Sequence, residues 1–494
     1  MLHVVRSMWN ALAPVNKIPP EVLSLIPGYC GRKMLVKLTH VCHSWREIFI
    51  SCASLWAHSG CTDFDQTCAY LERSKTSPLD IWVTGVGYDS PVGWGTPVFS
   101  GSLDTLPFSA FFKTIPHIGQ FKTLTLSGTS EEILLFTNWL VPPAPLLKNL
   151  KIHVYGEAHE NHPTTLKRGL FDGNLSSLHE LSLSRVAGLP WGTLTNLGTL
   201  QLNYTPTPIT QLLSLFQYAP LQEIKLLDSL PEHSDVPGKQ IVSLRLLKLL
   251  VISAKPLHSI ILNHLQVPAG ALVKLEYQDG DQNLRDLEEC FNNLENISHI
   301  TSVNLCFKEG MEVRLNGPTG DLYINVISMN LQPHPAESME ELQVLRNIII
   351  SATGSLTITD SETSPDLDEA EPNVQQTLLL MNKIRTLTLT DCQDLPFIFA
   401  LNPNHTTSNV VVCPGLMTLF LYANDAGVYP HVDELLDMVE ARASNGAKLE
   451  KILISRSCKG PMAESKVVSL QKHVSLVEFE SDTFPPRWDM VPGE

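Results

Sequence analysis

A short pattern of apolar and polar residues recurs along most of the chain. Units of the form apolar-x-x-apolar-x-apolar begin with FKTLTL at residue 121 and continue with LKNLKI (147), LHELSL (178), LGTLQL (197), LQEIKL (221), LLKLLV (246), LVKLEY (272), ITSVNL (300), a weaker DLYINV (321), TGSLTI (353), IRTLTL (384), LMTLFL (416), LEKILI (449) and VSLVEF (474). Their starts lie about 27 residues apart on average. Strict alternation within each unit predicts a short β-strand.

Several segments between these units have the spacing of an amphipathic helix, as in residues 131–140, 209–216, 284–294 and 432–443. Each repeat is therefore predicted to run strand, turn, helix, and its spacing is that of leucine-rich repeats. Such units cannot bury their apolar face alone, so we expect them to stack into a curved α/β solenoid with a parallel sheet, over residues 62–484.

Function in such an array is expected at the polar positions of the strands, because the apolar positions face the core. We therefore predict that target-binding residues lie on this polar face: Lys151, Gln201, Lys225, Glu276, Asn304, Thr388, Phe420 and Tyr422. Exposed aromatic side chains often dominate interface energy, which favours Phe420 and Tyr422. The alternative is that these two rings pack under a loop.

Residues 360–376, DSETSPDLDEAEPNVQQ, break the rhythm of the repeats. The segment carries six acidic residues, two prolines and few apolar residues. This composition predicts a disordered loop, because too little apolar surface is present to drive folding.

The N-terminal part has a different pattern, one of short helices. In residues 18–56 a Pro19-Pro20-Glu21 helix start precedes apolar residues at helical spacing. A second stripe runs through Leu35, Leu38, Val41, Cys42 and Trp45 after two glycine breaks. About 40 residues cannot bury every apolar side chain internally, so part of the stripe is expected to remain available to a partner.

These residues resemble the F-box family, whose members open with Leu/Ile-Pro-x-Glu-Val/Ile-Leu and continue to Leu-x-x-Val-Cys-x-x-Trp-Arg and Leu-Trp. The matching positions, in order, are Ile18, Pro19, Glu21, Val22, Leu38, Val41, Cys42, Trp45, Arg46, Leu55 and Trp56. Residues 14 to about 84 also look like F-box proteins of mushroom-forming fungi. We assign residues 14–60 to the F-box on this basis.

The resemblance implies that the helices dock on the small adaptor of an SCF-type cullin-RING ubiquitin ligase, and that the repeats hold the target protein. It implies these adaptor-binding residues: Ile18, Pro19, Glu21, Val22, Leu25, Ile26, Leu38, Val41, Cys42, Trp45 and Arg46. Many family members carry an acidic residue before the second helix, whereas this chain has Gly-Arg-Lys-Met at residues 31–34. The alternative is an interaction scaffold in which these helices only cap the solenoid.

Composition narrows the class of partner. The net charge of −16 opposes binding to nucleic acid and to anionic membranes. The ten cysteines contain no CxxC pair, and no long apolar run or secretory apolar core is present. These features predict an intracellular protein, cytoplasmic or nuclear.

No phosphate-binding loop, HExxH, GxSxG or kinase signature occurs in the sequence. The histidines and cysteines between His40 and Cys61 lack the paired spacing of a zinc site. We therefore expect a non-catalytic subunit without cofactor or metal.

Overall fold

The computed structural model describes residues 14–29, 32–61, 63–85, 107–155, 163–166, 169–229, 241–253, 261–278, 294, 301–307, 311–317, 321–327, 354–360, 371–390, 395–405, 410–422, 431–455 and 464–480. It is a mixed α/β structure with an N-terminal helical region and parallel β-sheet. The chain divides into an N-terminal unit, Met1–Leu221, and a C-terminal unit, Gln222–Glu494. The predicted helix at 284–294 lies outside the described residues except for Leu294.

The N-terminal unit contains eight α-helices among its described residues: α1 (Pro20–Leu23), α2 (Ile26–Tyr29), α3 (Arg32–Leu38), α4 (His43–Ser51), α5 (Phe64–Ser74), α6 (Pro107–Thr114), α7 (Ser130–Thr137) and α8 (Ile209–Tyr218). Short 3-10 helices occur at Pro14–Lys17, Ala53–Trp56, Ile115–Gln120, Leu170–Gly173 and Trp191–Thr193. Local signals account for the helix starts. The Asp63 carboxylate caps α5 by accepting from Gln66 N at 2.7 Å, and Thr129 with Glu132 forms a capping box at α7.

The strands described in this unit are β1 (His58–Gly60), β2 (Leu79–Thr84), β3 (Phe121–Gly128), β4 (Asn149–Val154), β5 (Thr164–Thr165), β6 (Glu180–Ser184), β7 (Val186–Ala187) and β8 (Thr199–Asn203). A parallel sheet has the order β1-β2-β3-β4-β6-β8, and β5 pairs separately with β7. Its apolar positions stack in register and are buried: Ile81, Leu124, Leu150, Leu181 and Leu200 form one ladder. The alternation predicted from the sequence is therefore observed.

The C-terminal unit contains, in its described parts, α9 (Glu371–Leu380), α10 (Leu395–Leu401), α11 (Val432–Ser444), α12 (Glu464–His473) and a 3-10 helix at Pro403–His405. The strands are β9 (Glu223–Leu227), β10 (Val242–Ser243), β11 (Leu249–Ser253), β12 (Leu265–Gln266), β13 (Leu272–Gln278), β14 (Ser302–Phe307), β15 (Met311–Asn316), β16 (Asp321–Ile327), β17 (Ser355–Asp360), β18 (Thr386–Thr390), β19 (Thr418–Tyr422), β20 (Lys451–Ser455) and β21 (Leu476–Glu480). All fourteen repeat units of the sequence thus contain a strand.

The sheet of the C-terminal unit departs from a simple succession of parallel strands. Its order is β9-β11-β13-β16-β15-β14-β17-β18-β19-β20-β21, and β15 is antiparallel to both of its neighbours. The links at residues 308–310 and 317–320 are too short for a parallel crossover, which needs a dozen or more residues. A meander therefore replaces the repeat at this point, and the prediction of an all-parallel sheet is wrong there.

The strand-turn-helix repeat is also not uniform. Between β4 and β6, and between β6 and β8, the described connections contain 3-10 turns and no α-helix. The predicted disordered segment is wrong at both ends, because residue 360 ends β17 and residue 371 begins α9. Val374 and Leu378 lie one helical turn apart and are buried, which explains the helix. Residues 361–370 lie outside the described residues.

One buried hydroxyl group of the C-terminal sheet permits a stability prediction. Thr390 is 7% exposed, and its Oγ1 makes no hydrogen bond within the described structure. Thr390→Val should raise the free energy of unfolding by about 1 kcal/mol, because it removes an unsatisfied polar group without changing shape. Thermal unfolding followed by circular dichroism measures the change.

Thr205→Val is the matched control for Thr390→Val. The Thr205 hydroxyl is buried as well, but it donates to Asn203 O at 3.0 Å and accepts from Val186 N at 3.3 Å. Losing these bonds should lower stability by about 1–2 kcal/mol. Equal destabilisation by both variants would contradict the account of Thr390.

Candidate protein-interaction surfaces

The N-terminal helices enclose a small aromatic core. Trp45 and Phe49 lie one turn apart on α4, and their ring centroids are 5.5 Å apart in an edge-on arrangement. The Trp56 Nε1 donates to Phe49 O at 2.8 Å. Leu23 and Leu35 join this core from α1 and α3. These buried side chains hold the short helices together, because helices of this length are not stable alone.

The core continues into the first helix after the N-terminal motif. Tyr70 of α5 packs edge-on against Trp56 with a centroid distance of 5.1 Å, and the Arg73 guanidinium lies 4.4 Å from the Trp56 ring centroid. Only Ala57 separates Trp56 from β1, which pairs with β2. The helical motif and the first strands of the sheet are therefore joined by a shared core and by two backbone hydrogen bonds of Ala57, whose N–H donates to Ser54 O and whose carbonyl accepts from Asp80 N. The sheet begins at His58, before the predicted boundary at residue 60.

The helical motif exposes a group of large apolar side chains. Of the 21 exposed large apolar side chains in the described residues, seven lie between positions 15 and 41: Val15, Val22, Leu25, Tyr29, Met34, Val36 and Val41. Leu25 is 61% exposed, Val41 56% and Val22 50%. Exposed apolar side chains that form one contiguous patch are typical of a protein-binding surface. We refer to these seven residues as the apolar face.

The eleven predicted adaptor-binding residues fall into three groups by burial. Pro19, Glu21, Val22, Leu25, Val41 and Arg46 are exposed, whereas Ile18, Ile26, Leu38 and Cys42 are half-buried against the core. Trp45 is only 7% exposed. The structure therefore places Trp45 in the core, where it can support the surface but cannot form its outer layer.

The predicted stripe from Leu35 to Trp45 is not one continuous helix. Helix α3 ends at Leu38, and α4 begins at His43 with Cys42 as its N-cap residue. Val41 therefore lies in the turn between these helices and is 56% exposed. In the segment that departs from the family pattern, Gly31 lies outside the described residues, Arg32 begins α3 and Met34 is exposed.

A second candidate surface is the polar face of the N-terminal sheet. Lys151 and Gln201 lie in one register row with Trp82, Thr125 and Ser182. One ion pair joins this row to the adjacent one, and a second lies within the adjacent row. The Lys151 Nζ lies 2.6 Å from Glu180 Oε1, and His58 Nδ1 lies 2.7 Å from Asp80 Oδ2.

The environment of these pairs changes two pKa values. Burial alone would raise the pKa of the Asp80 carboxyl, but hydrogen bonds from His58 and Thr123 and the positive charges of His58 and Lys122 hold it below its usual value. Burial, and then the charge of Lys151, lower the pKa of His153. At neutral pH this face therefore carries the ionised Asp80 carboxylate and the Lys151–Glu180 ion pair.

The other predicted target-binding residues lie on the sheet of the C-terminal unit. Asn304, Thr388 and Phe420 share a register row with Thr357, and Tyr422 lies two residues beyond Phe420. Lys225 and Lys274 occupy one row with Val251 between them, and Glu276 lies two residues beyond Lys274. All of the predicted residues are half-buried. Sequence reasoning missed Trp82, although the LDIWV alternation marks its strand.

Within the described chain, no helix is both long and apolar enough to cross a membrane. The family model described as F-box-like matches residues 15–62, which contain the aromatic core and the apolar face. A search of curated proteins found no match to the chain. An F-box-like domain therefore occupies residues 15–62, and it indicates a role in protein interaction.

Proposed function

We propose that the chain is a substrate-recognition subunit of an SCF-type cullin-RING ubiquitin ligase. In this proposal residues 15–62 bind the small adaptor and through it a cullin, the following repeats bind a target protein, and other subunits carry out catalysis. The observation that carries the proposal is the apolar face, which belongs to the segment matched by the F-box-like family model. Such a subunit works inside the cell, in the cytoplasm or the nucleus.

The adaptor is proposed to contact the exposed members of the predicted set. Val22, Leu25 and Val41 supply apolar area, while Glu21 and Arg46 supply charge at its edge. The half-buried residues, among them Leu38 and Cys42, support this layer from below. Trp45 acts from the core by fixing the angle of α4.

The target-binding part is proposed to be a degenerate leucine-rich-repeat-like array. Its support is the recurrence of short strands at a spacing of about 27 residues and the registered apolar ladders within each unit. A curved solenoid remains the proposed form of the array. Its polar strand positions, from Lys151 and Gln201 to Phe420 and Tyr422, are the proposed contacts with the target.

The packing of the F-box-like helices against the first strands supports a role in ubiquitin transfer to the target, beyond binding of the target alone. Because Trp56, Tyr70 and Arg73 pack together, the F-box-like helices cannot swing freely on the first strands. A target held on the N-terminal sheet would then have a defined position relative to the adaptor. Ubiquitin transfer by a separate subunit requires such a defined position.

Affinity purification of the tagged full-length chain from its native cells tests the proposal. We expect the wild type to recover an SCF adaptor and a cullin, and Pro19→Ala with Leu25→Ala to recover much less of both. Leu146→Ala, which alters an exposed leucine outside the motif, is the control and should behave as the wild type. If neither protein is recovered, or if all three forms recover them equally, the helices are a cap and the chain is a scaffold.

A further inference from the structure

Four neighbouring strands of the C-terminal sheet carry an unusual set of side chains on their polar face. The strands β14, β17, β18 and β19 are adjacent and parallel, so equivalent positions align in rows. Ten of these positions are half-buried and Thr390 is buried. We call the set the hydroxyl face, and its members are Ser302, Asn304, Ser355, Thr357, Thr359, Thr386, Thr388, Thr390, Thr418, Phe420 and Tyr422.

None of these eleven side chains is charged at neutral pH. The boundary on one side is Arg314 of β15, opposite Asn304, and on the other side Lys451 of β20, opposite Thr418. The Lys451 ammonium is paired with Glu478 at 2.8 Å. The N-terminal sheet, by contrast, carries ion pairs on the corresponding face. The lack of charge is therefore a local property of four strands and does not follow from the composition of the chain.

The geometry of the hydroxyl face sets the chemistry of a suitable partner. Neighbouring strands lie about 4.8 Å apart and alternate residues about 6.6 Å apart, so the hydroxyl groups form a grid. Each hydroxyl can donate and accept, while the threonine methyl groups and the rings of Phe420 and Tyr422 offer apolar contact. A charged group covered by this grid would lose water and gain no counter-ion, at a cost of roughly several kcal/mol.

We propose that the hydroxyl face binds an uncharged stretch of the target polypeptide, rich in hydroxyl, amide and apolar side chains. This inference rests on the proposed role of the repeats in target binding and names the chemistry of the segment they take. Binding at this face should depend little on salt, because screening acts on charges. The charged face of the N-terminal sheet would show the opposite behaviour.

Site-specific photo-crosslinking in the native cells of the protein tests the inference. A benzophenone amino acid replaces Thr357 in the full-length chain in one experiment and Thr125 of the N-terminal sheet in another, and mass spectrometry identifies the attached peptides. We expect Thr357 to yield a peptide free of Asp, Glu, Lys and Arg within about four residues of the attachment point. A highly charged peptide, or a glycan in place of a peptide, would overturn the inference.

Two substitutions at Thr388, which aligns with Thr357 on the neighbouring strand, distinguish specific binding at the hydroxyl face from chance crosslinking. Thr388→Lys should reduce the yield of the Thr357 crosslink at least tenfold, whereas Thr388→Val, of the same shape, should preserve most of it. Equal yields with both variants would contradict the inference. Circular dichroism and adaptor recovery confirm that each variant is folded.

The position of the crosslinks also separates this inference from the proposed function. Crosslinks from position 125 alone would support target binding by the N-terminal sheet. The same result would overturn the proposed role of the hydroxyl face. The absence of crosslinks at both positions, with adaptor recovery unchanged, would overturn the target-binding role of these sheets together with the inference.

Discussion

Val22→Asp combined with Leu25→Asp should weaken adaptor binding at least about 100-fold while leaving the fold intact. Both side chains are half or more exposed, so their replacement removes little packing within the chain. Burial of each against a partner would contribute about 1.5–3 kcal/mol, and a carboxylate in the same place must also lose its water. The dissociation constants of purified full-length chain and adaptor, measured by biolayer interferometry, test this result.

Leu146→Asp is the control for this double variant. It makes the same chemical change at a leucine that is 45% exposed in the connection after α7. We expect wild-type affinity for the adaptor, because Leu146 lies outside the F-box-like domain. A similar loss with Leu146→Asp would show that added negative charge alone weakens binding to this acidic chain, and the apolar face would lose its assigned role.

Arg442→Ala should destabilise the C-terminal unit by about 3–5 kcal/mol. The Arg442 side chain on α11 is fully buried, and its guanidinium donates to Val412 O at 2.7 Å, Cys413 O at 2.8 Å and Leu401 O at 3.4 Å. It thus joins α11 to the end of α10 and to the segment before β19. Burial lowers the pKa of Arg442, and burial raises the pKa of the neighbouring Cys413 thiol to about 12.

The size of this effect follows from what the substitution leaves behind. Alanine would leave buried carbonyl oxygens without a donor, at about 1–3 kcal/mol each, and a cavity in place of the side chain. Arg442→Lys should recover only part of the loss, because an ammonium cannot reproduce the planar fork of donors. Denaturant unfolding followed by circular dichroism provides the measurement.

Arg385→Ala provides the matched control, since Arg385 is exposed. Its substitution should change the free energy of unfolding by less than about 0.5 kcal/mol. If Arg442→Ala is no more destabilising than Arg385→Ala, the buried guanidinium does not hold the three segments together.

The strands were the part of the fold that the sequence predicted best. Each repeat unit alternates apolar and polar residues over a short run, and in a parallel sheet the apolar positions align into buried ladders such as Leu356, Leu387 and Leu419. Helices α7, α8 and α11 were predicted for the equivalent reason. In these elements local pattern and tertiary packing favour the same structure.

The sequence was least informative where packing or connection length decides the structure. The meander of β14 to β16 follows from two short links, and the repeat pattern contains no information on strand direction. Val41 and Trp45 share a helical spacing in the sequence, yet a turn between α3 and α4 exposes one and α4 buries the other. Arg442 looks like a surface residue of an amphipathic helix, and only the fold reveals its three carbonyl partners.

The candidate site shows the same division. The residues of the F-box-like domain were recognised from their order along the chain, but their separation into surface and core required the structure. Of the predicted target-binding residues, Asn304, Thr388 and Phe420 prove to share one row. These three residues and the hydroxyl side chains around them form an uncharged face, and only the register of the strands shows that they lie together.

Isothermal titration calorimetry of the purified full-length chain with a purified SCF adaptor tests the central claim most directly. The apolar face predicts a one-to-one complex with a dissociation constant below about 1 µM and a negative heat-capacity change, which is the mark of apolar burial. The absence of binding at adaptor concentrations of about 100 µM would contradict the assignment of residues 15–62 as an adaptor-binding domain.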